Sequence, residues 1–150
     1  MTTWRWRRAR RGAPVAAAIV VLAACTSVST GPQGPVPPTE DATRGSGAEA
    51  LSGAQARAVL GGPVRYRWTT AQGAKGNAIL DGKGAVRLFW ETGAVNGRIR
   101  FNENGYCTRY RNVRDGKEDC YRLYRIGADE YRVFRVDGRF SGTIVIQPRL

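Results

Sequence analysis

The chain has 150 residues, with 24 Lys and Arg against 12 Asp and Glu, a formal net charge of +12, three cysteines and no histidine. That length suits one domain, and a hydrophobic share of 42% excludes a chain disordered throughout. Without histidine, Ser-His and Cys-His catalysis, imidazole base chemistry and His-liganded zinc are all excluded.

Residues 1–12, MTTWRWRRARRG, hold five arginines and no acidic residue, and residues 13–24 are apolar apart from Pro14. At ~1.5 Å per residue the apolar run spans ~18 Å, short of the ~30 Å hydrocarbon core. A basic start and a short apolar run predict a secretory signal peptide over 1–24 rather than a membrane span. A nucleic-acid-binding arm would have no use for so abrupt a switch from charge to apolar. The doublets Arg7-Arg8 and Arg10-Arg11 lack the apolar pair that follows a twin-arginine signal.

The apolar run ends Leu22-Ala23-Ala24-Cys25, which resembles the lipobox of bacterial lipoproteins. The resemblance implies cleavage before Cys25, a diacylglyceryl thioether on its sulfur and a palmitate-type acyl chain on the new N-terminus. Several acyl chains anchor firmly where one does not, at ~0.8 kcal/mol per buried CH₂. The residue after the cysteine is Thr26 and not Asp, which by resemblance to enteric sorting rules implies the outer membrane, facing the periplasm. Ordinary cleavage after Ala24, leaving a free Cys25 thiol, is the alternative. Loss of the five leader arginines leaves 19 basic and 12 acidic residues, a net of +7.

Residues 26–50 are polar and rich in Pro and Gly, with only Val28 and Val36 as larger apolar residues. This composition predicts that 25–50 is an anchored cysteine followed by a disordered linker. Its PxxP spacings (Pro32 and Pro35, Pro35 and Pro38) arise readily in any Pro-rich tether. Residues 51–60, LSGAQARAVL, predict one short helix, with Ser52 and Gln55 at capping-box spacing and Gly61-Gly62-Pro63 as its stop.

From Val64 the period changes to two. Val64, Tyr66 and Trp68 alternate with Arg65 and Arg67, and Val86, Leu88 and Trp90 share a side. Ile99 and Phe101 oppose Arg98 and Arg100, and Cys107 lies with Arg109 and Arg111. CYRLYRI follows; then Tyr131, Val133 and Arg135 oppose Arg132, Phe134 and Val136, and Phe140 falls with Ile144 and Ile146. A weaker strand fits residues 77–80. Asp81-Gly82, Asn104-Gly105, Asp115-Gly116 and Asp137-Gly138 mark turns. The prediction is an all-β domain over 51–150, a small antiparallel barrel or sandwich of about eight strands with one short N-terminal helix.

Cys107 and Cys120 fall opposite each other on neighbouring strands, and an exported chain keeps such a pair oxidised. A disulfide between them leaves Cys25 as the odd cysteine, which the lipid uses. Two thiolates without further ligands make a poor zinc site, and the spacing is not that of a CxxC redox pair.

Residues 51–146, with the LSGAQ opening, the cysteine pair and the closing repeat ADEYRVFRVDG, resemble the DUF995-type small secreted or lipid-anchored bacterial proteins. The sequence departs from that pattern at Gly97-Arg98-Ile99-Arg100, which stands in place of a Gly-x-Trp segment. The resemblance supports the β fold and implies no activity or catalytic residue.

Catalytic chemistry has little to build on. Glu118-Asp119 and Asp129-Glu130 sit beside predicted turns, where carboxylates are usually just solvated, and strand neighbours point to opposite faces. No P-loop, GxGxxG or GxSxG occurs. The expectation is a non-enzyme without metal or cofactor. From residue 63 onward 17 basic residues face 9 acidic ones, and arginine alternates with aromatics. Arg65, Arg67, Arg98, Arg100, Arg109 and Arg111 are the candidate anion-binding set. Export makes an anionic envelope glycan, a lipid headgroup or an acidic protein the expected partner, not nucleic acid. The sequence therefore reads as a lipid-anchored binding or envelope-stability module with a basic β face. The alternative is a small barrel inhibitor of an exported hydrolase, with residues 45–52 as its protruding segment.

Overall fold

The computed structural model describes residues 36–148, so the expected signal peptide, Cys25, Thr26 and the start of the linker lie outside the described residues. The described elements are α1 (Glu40–Gly45), β1 (Glu49–Ala50), α2 (Gly53–Leu60), β2 (Pro63–Thr70), β3 (Lys75–Asp81), β4 (Ala85–Trp90), β5 (Gly93–Asn102), β6 (Gly105–Tyr110), β7 (Glu118–Arg125), β8 (Glu130–Arg135) and β9 (Phe140–Ile146).

Each strand from β2 to β9 pairs antiparallel with the next, and β9 returns to β2, with Tyr66 opposite Ile146 and Trp68 opposite Ile144. Of the two expected architectures the molecule adopts the closed up-and-down barrel of eight strands. Alternation decides which side chains it encloses. Val64, Tyr66, Ala78, Leu80, Val86, Ile99, Tyr106, Leu123, Val133 and Ile144 form the buried core inside the ring. The arginines of the intervening positions face out.

Helix α2 seals one end. Its capping box forms as the sequence predicts: Gln55 N donates to Ser52 Oγ at 3.3 Å, and Ser52 N donates to Gln55 Oε1 at 2.8 Å. Leu51, Ala56 and Leu60 are buried against the core. Gly53 N donates to the Glu103 carbonyl in the β5–β6 turn at 2.7 Å, and the Arg57 guanidinium lies 5.1 Å over the Phe101 ring. Strand β1 pairs with β7 alongside the residues that β6 does not reach, with Glu49 opposite Arg125, and Leu51 N donates to Leu123 O at 2.9 Å. The loops joining β2 to β3, β4 to β5, β6 to β7 and β8 to β9 gather at the other end, as a meander requires.

Two expectations are corrected. The linker was expected to be without structure through residue 50, yet α1 and β1 occupy its last part. Thr39 caps α1, accepting from Ala42 N at 3.1 Å, with Glu40 and Asp41 in the first turn and Arg44 in the last, as the helix dipole favours. Polar contacts hold it down: Arg122 Nη1 and the Tyr124 hydroxyl each donate to Glu40 Oε1 at 2.6 Å, and Arg132 Nη1 donates to the buried Thr43 hydroxyl at 3.1 Å. Beneath lie Tyr124 and Phe134, fully buried on the outer face, with rings edge-to-face at 5.5 Å. Phe140 is the second correction. A bulge between β8 and β9 pairs it with Phe134, so it joins this outer cluster rather than Ile144 and Ile146 inside.

Burial works to raise the Glu40 carboxyl, but the bonds from Tyr124 and Arg122 outweigh it and hold the group below the usual carboxylate range. A depressed folded value means the stabilisation is complete above the unfolded pKa of ~4.3 and fades as pH falls through the folded one. Glu40→Gln is expected to cost about 1–2 kcal/mol in urea unfolding at pH 7. The gap to wild type should narrow below about pH 4. A gap that stays constant with pH would show that the charge is not what holds α1.

Candidate functional site

The six candidate arginines separate into three settings. Arg98 on β5 and Arg109 on β6 are register partners, so two like charges stand side by side on the outer wall. Together with Arg111, Asn96 and Asp115 they line an open concavity between β5 and the β6–β7 loop. The Arg109 Nε donates to the Gly116 carbonyl at 2.6 Å, which fixes its guanidinium at the edge of that hollow. Among the described residues none of these three arginines lies within ion-pair distance of a carboxylate, although Glu118 on β7 is the register partner of Arg109 on its other side. Arg100 differs. Its guanidinium grips Glu118 through both carboxylate oxygens, with Nε–Oε1 at 2.6 Å, and that hydrogen bonding draws the Glu118 carboxyl below its usual range. Arg65 and Arg67 lie on β2, opposite Ile79 and Asn77, separated from β5 by two intervening strands. The concavity therefore gathers Arg98, Arg109 and Arg111 and leaves out Arg65, Arg67 and Arg100.

The wall carrying this group is braced. Cys107 and Cys120 face each other across β6 and β7 and are joined by a disulfide, as the sequence predicts. Their sulfurs lie near Glu118, but the bonded pair offers no thiolate to a metal. The loop from β6 to β7 holds Arg114 and Asp115 at φ 51° and 55°, in the left-handed region that residues other than glycine seldom enter. It is held there by Arg114, whose Nη1 donates to Asp119 Oδ2 at 2.8 Å.

Asp119 is the functional-type residue that sequence reasoning missed. In sequence it sits with Glu118 beside a turn, but alternation sends Glu118 out and Asp119 into the barrel mouth. There its Oδ1 also accepts from Arg135 Nη2 at 2.6 Å. The inward alternation of Asp119 with Tyr121 and Leu123 was the available signal. Around this pair the barrel interior opens into a cavity of ≈280 Å³, walled by aromatic side chains. Two of the large rings at this end lie across glycines of neighbouring strands. A Cβ on Gly76 would meet Trp68 at 2.3 Å, and one on Gly97 would meet Tyr110 at 2.4 Å.

The chain shows no significant match to any protein-family model, curated protein or solved structure with which it was compared.

Proposed function

We propose that this protein is a lipid-anchored, non-catalytic module of the bacterial cell envelope, held by Cys25 in the outer membrane and facing the periplasm. Its basic β wall engages anionic lipid headgroups. The observation that supports the reading is the pairing of Arg98 with Arg109 beside Arg111. Like charges directly opposite on adjacent strands are destabilising, and a bound anion offsets that repulsion. Phosphate-bearing headgroups suit a hollow lined by several guanidiniums, and an anchored domain meets them at high local concentration. The inhibitor reading is less favoured, because β1 pairs with β7 and Leu51 is buried, so residues 45–52 do not stand free.

Vesicle binding tests this with the mature chain carrying Cys25→Ala, so that only the protein surface contributes. Retention is expected on phosphatidylcholine vesicles that contain phosphatidylglycerol, and it should fall with salt. At ~1 kcal/mol per basic residue near an anionic surface, Arg98→Ser with Arg109→Ser should weaken it about 30-fold. Arg100→Ser, whose partner is Glu118, should change it far less. Equal losses from both variants, or none from the double one, would sink the proposal. Intact mass of the protein taken from its native envelope reads the anchor: acylation on a chain starting at Cys25 supports it, and an unlipidated chain removes it.

A further inference from the structure

Eight strands enclose a space that side chains just fill or that one small molecule can occupy. Here it is not filled. The ≈280 Å³ cavity opens at the barrel mouth and lies among Tyr66, Tyr106, Trp68, Leu88, Ile144 and the exposed Trp90, with α2 closing the far end of the barrel. None of Arg98, Arg109 and Arg111 lines it, so it is a separate site from the outer basic wall.

Its chemistry is specific. Tyr66 and Tyr106 are each 6% exposed. Their phenols have no hydrogen-bond partner among the described residues, while no buried side-chain oxygen or nitrogen there is left orphaned. Both hydroxyls therefore open onto the cavity instead of into packed protein. Burial pushes both phenols well above their ordinary range, so they stay protonated and offer O–H donors. The indoles offer ring faces only, because Trp68 Nε1 is spent on the Asn77 carbonyl at 3.0 Å and Trp90 Nε1 on the Thr92 hydroxyl at 3.1 Å. The charges at the mouth, Asp119 with Arg114 and Arg135, are already matched to one another.

We propose that the barrel interior binds a small uncharged compound of a single ring carrying a carbonyl-type acceptor oxygen. The ring packs against Trp68 and Trp90, and the oxygen accepts from Tyr66 or Tyr106. At ~30 Å³ for each water-sized group, the cavity holds about nine non-hydrogen atoms, the size of one substituted ring. An apolar pocket with a few convergent polar groups is the usual form of a small-molecule site.

Three probes of equal size separate the terms: acetophenone, isopropylbenzene and benzoate, followed by protein-detected NMR titration of the mature chain. Acetophenone is expected to saturate with a Kd below ~1 mM, within reach of a ligand this small. Isopropylbenzene, lacking the acceptor, should bind about fivefold more weakly, and benzoate, which must desolvate its charge, about tenfold or more. Tyr66→Phe with Tyr106→Phe keeps both rings and should erase the preference for acetophenone over isopropylbenzene. Leu88→Trp, which fills the space, should abolish binding of all three. Absence of saturable binding by the wild type, a preference for benzoate, or a preference that survives the double phenylalanine variant would each overturn the proposal. The phenylalanine pair decides the matter even if Leu88→Trp does not fold.

Discussion

Replacing both Cys107 and Cys120 by alanine is expected to lower unfolding stability by ~3 kcal/mol, the chain-entropy value for a closed loop of about this size. The two are 13 residues apart, and Cys107 is fully buried, with Asn102 Nδ2 against its sulfur at 3.3 Å. Against a typical total of ~5–15 kcal/mol the loss is a large fraction. The same hairpin carries Arg109 and the strained turn at Arg114 and Asp115. The bridge therefore also limits how far the basic wall can shift when the Arg114–Asp119 contact opens. Guanidinium unfolding of the oxidised protein and of the double variant measures the loss. A difference under about 1 kcal/mol would show that strand pairing and the outer cluster suffice, and that the disulfide constrains little in the unfolded chain.

Gly53→Ala is expected to be as damaging, by a different route. A Cβ at Gly53 would sit 1.5 Å from the Asn102 carbonyl oxygen, which is backbone and cannot rotate away. The helix must then lift from the β5–β6 turn, breaking the Gly53–Glu103 bond and exposing Leu60 and Ala56. Overpacking alone costs about 1–3 kcal/mol, and partial exposure of the buried helix face adds to it. We expect a loss of at least ~3 kcal/mol, with new protease sensitivity over residues 51–60. Ser52→Ala one position earlier removes only the cap and should cost about 1 kcal/mol. Comparable losses for the two variants would mean that the contact with Asn102 relaxes freely.

Much of the fold could be read from local chemistry. Strand period, turn dipeptides and the capping box are all set by neighbours within a few residues, so they survive without knowledge of the partner strand. The cysteine pairing was legible for the same reason, because a single hairpin aligns the two residues. What escaped was decided by distant partners. Helix α1 looked like tether because it lacks apolar residues, yet its stability comes from Glu40 meeting Arg122 and Tyr124, more than eighty residues on. Phe140 obeyed the alternation rule until an unpaired residue in the β8–β9 pairing turned it outward. Six arginines looked equivalent, and only the folded strands showed that the Arg100 side chain reaches diagonally to Glu118 whereas Arg98 stands opposite Arg109. Asp119 needed two arginines from separate elements to become a mouth residue.

The ring is completed by β9 lying against β2, a pairing that joins Tyr66 to Ile146 across ~80 residues of chain. Every other seam of the barrel joins neighbours in sequence and can form as a hairpin on the microsecond scale. The last seam must await the whole chain, so closure sets the pace of folding. Until it forms, β2 and β9 each present a row of unpaired backbone groups, the kind of edge that recruits other chains. The interval before β9 docks on β2 is the time of greatest exposure to aggregation. The seven residues of β9 thus serve as a kinetic guard as well as a wall of the barrel.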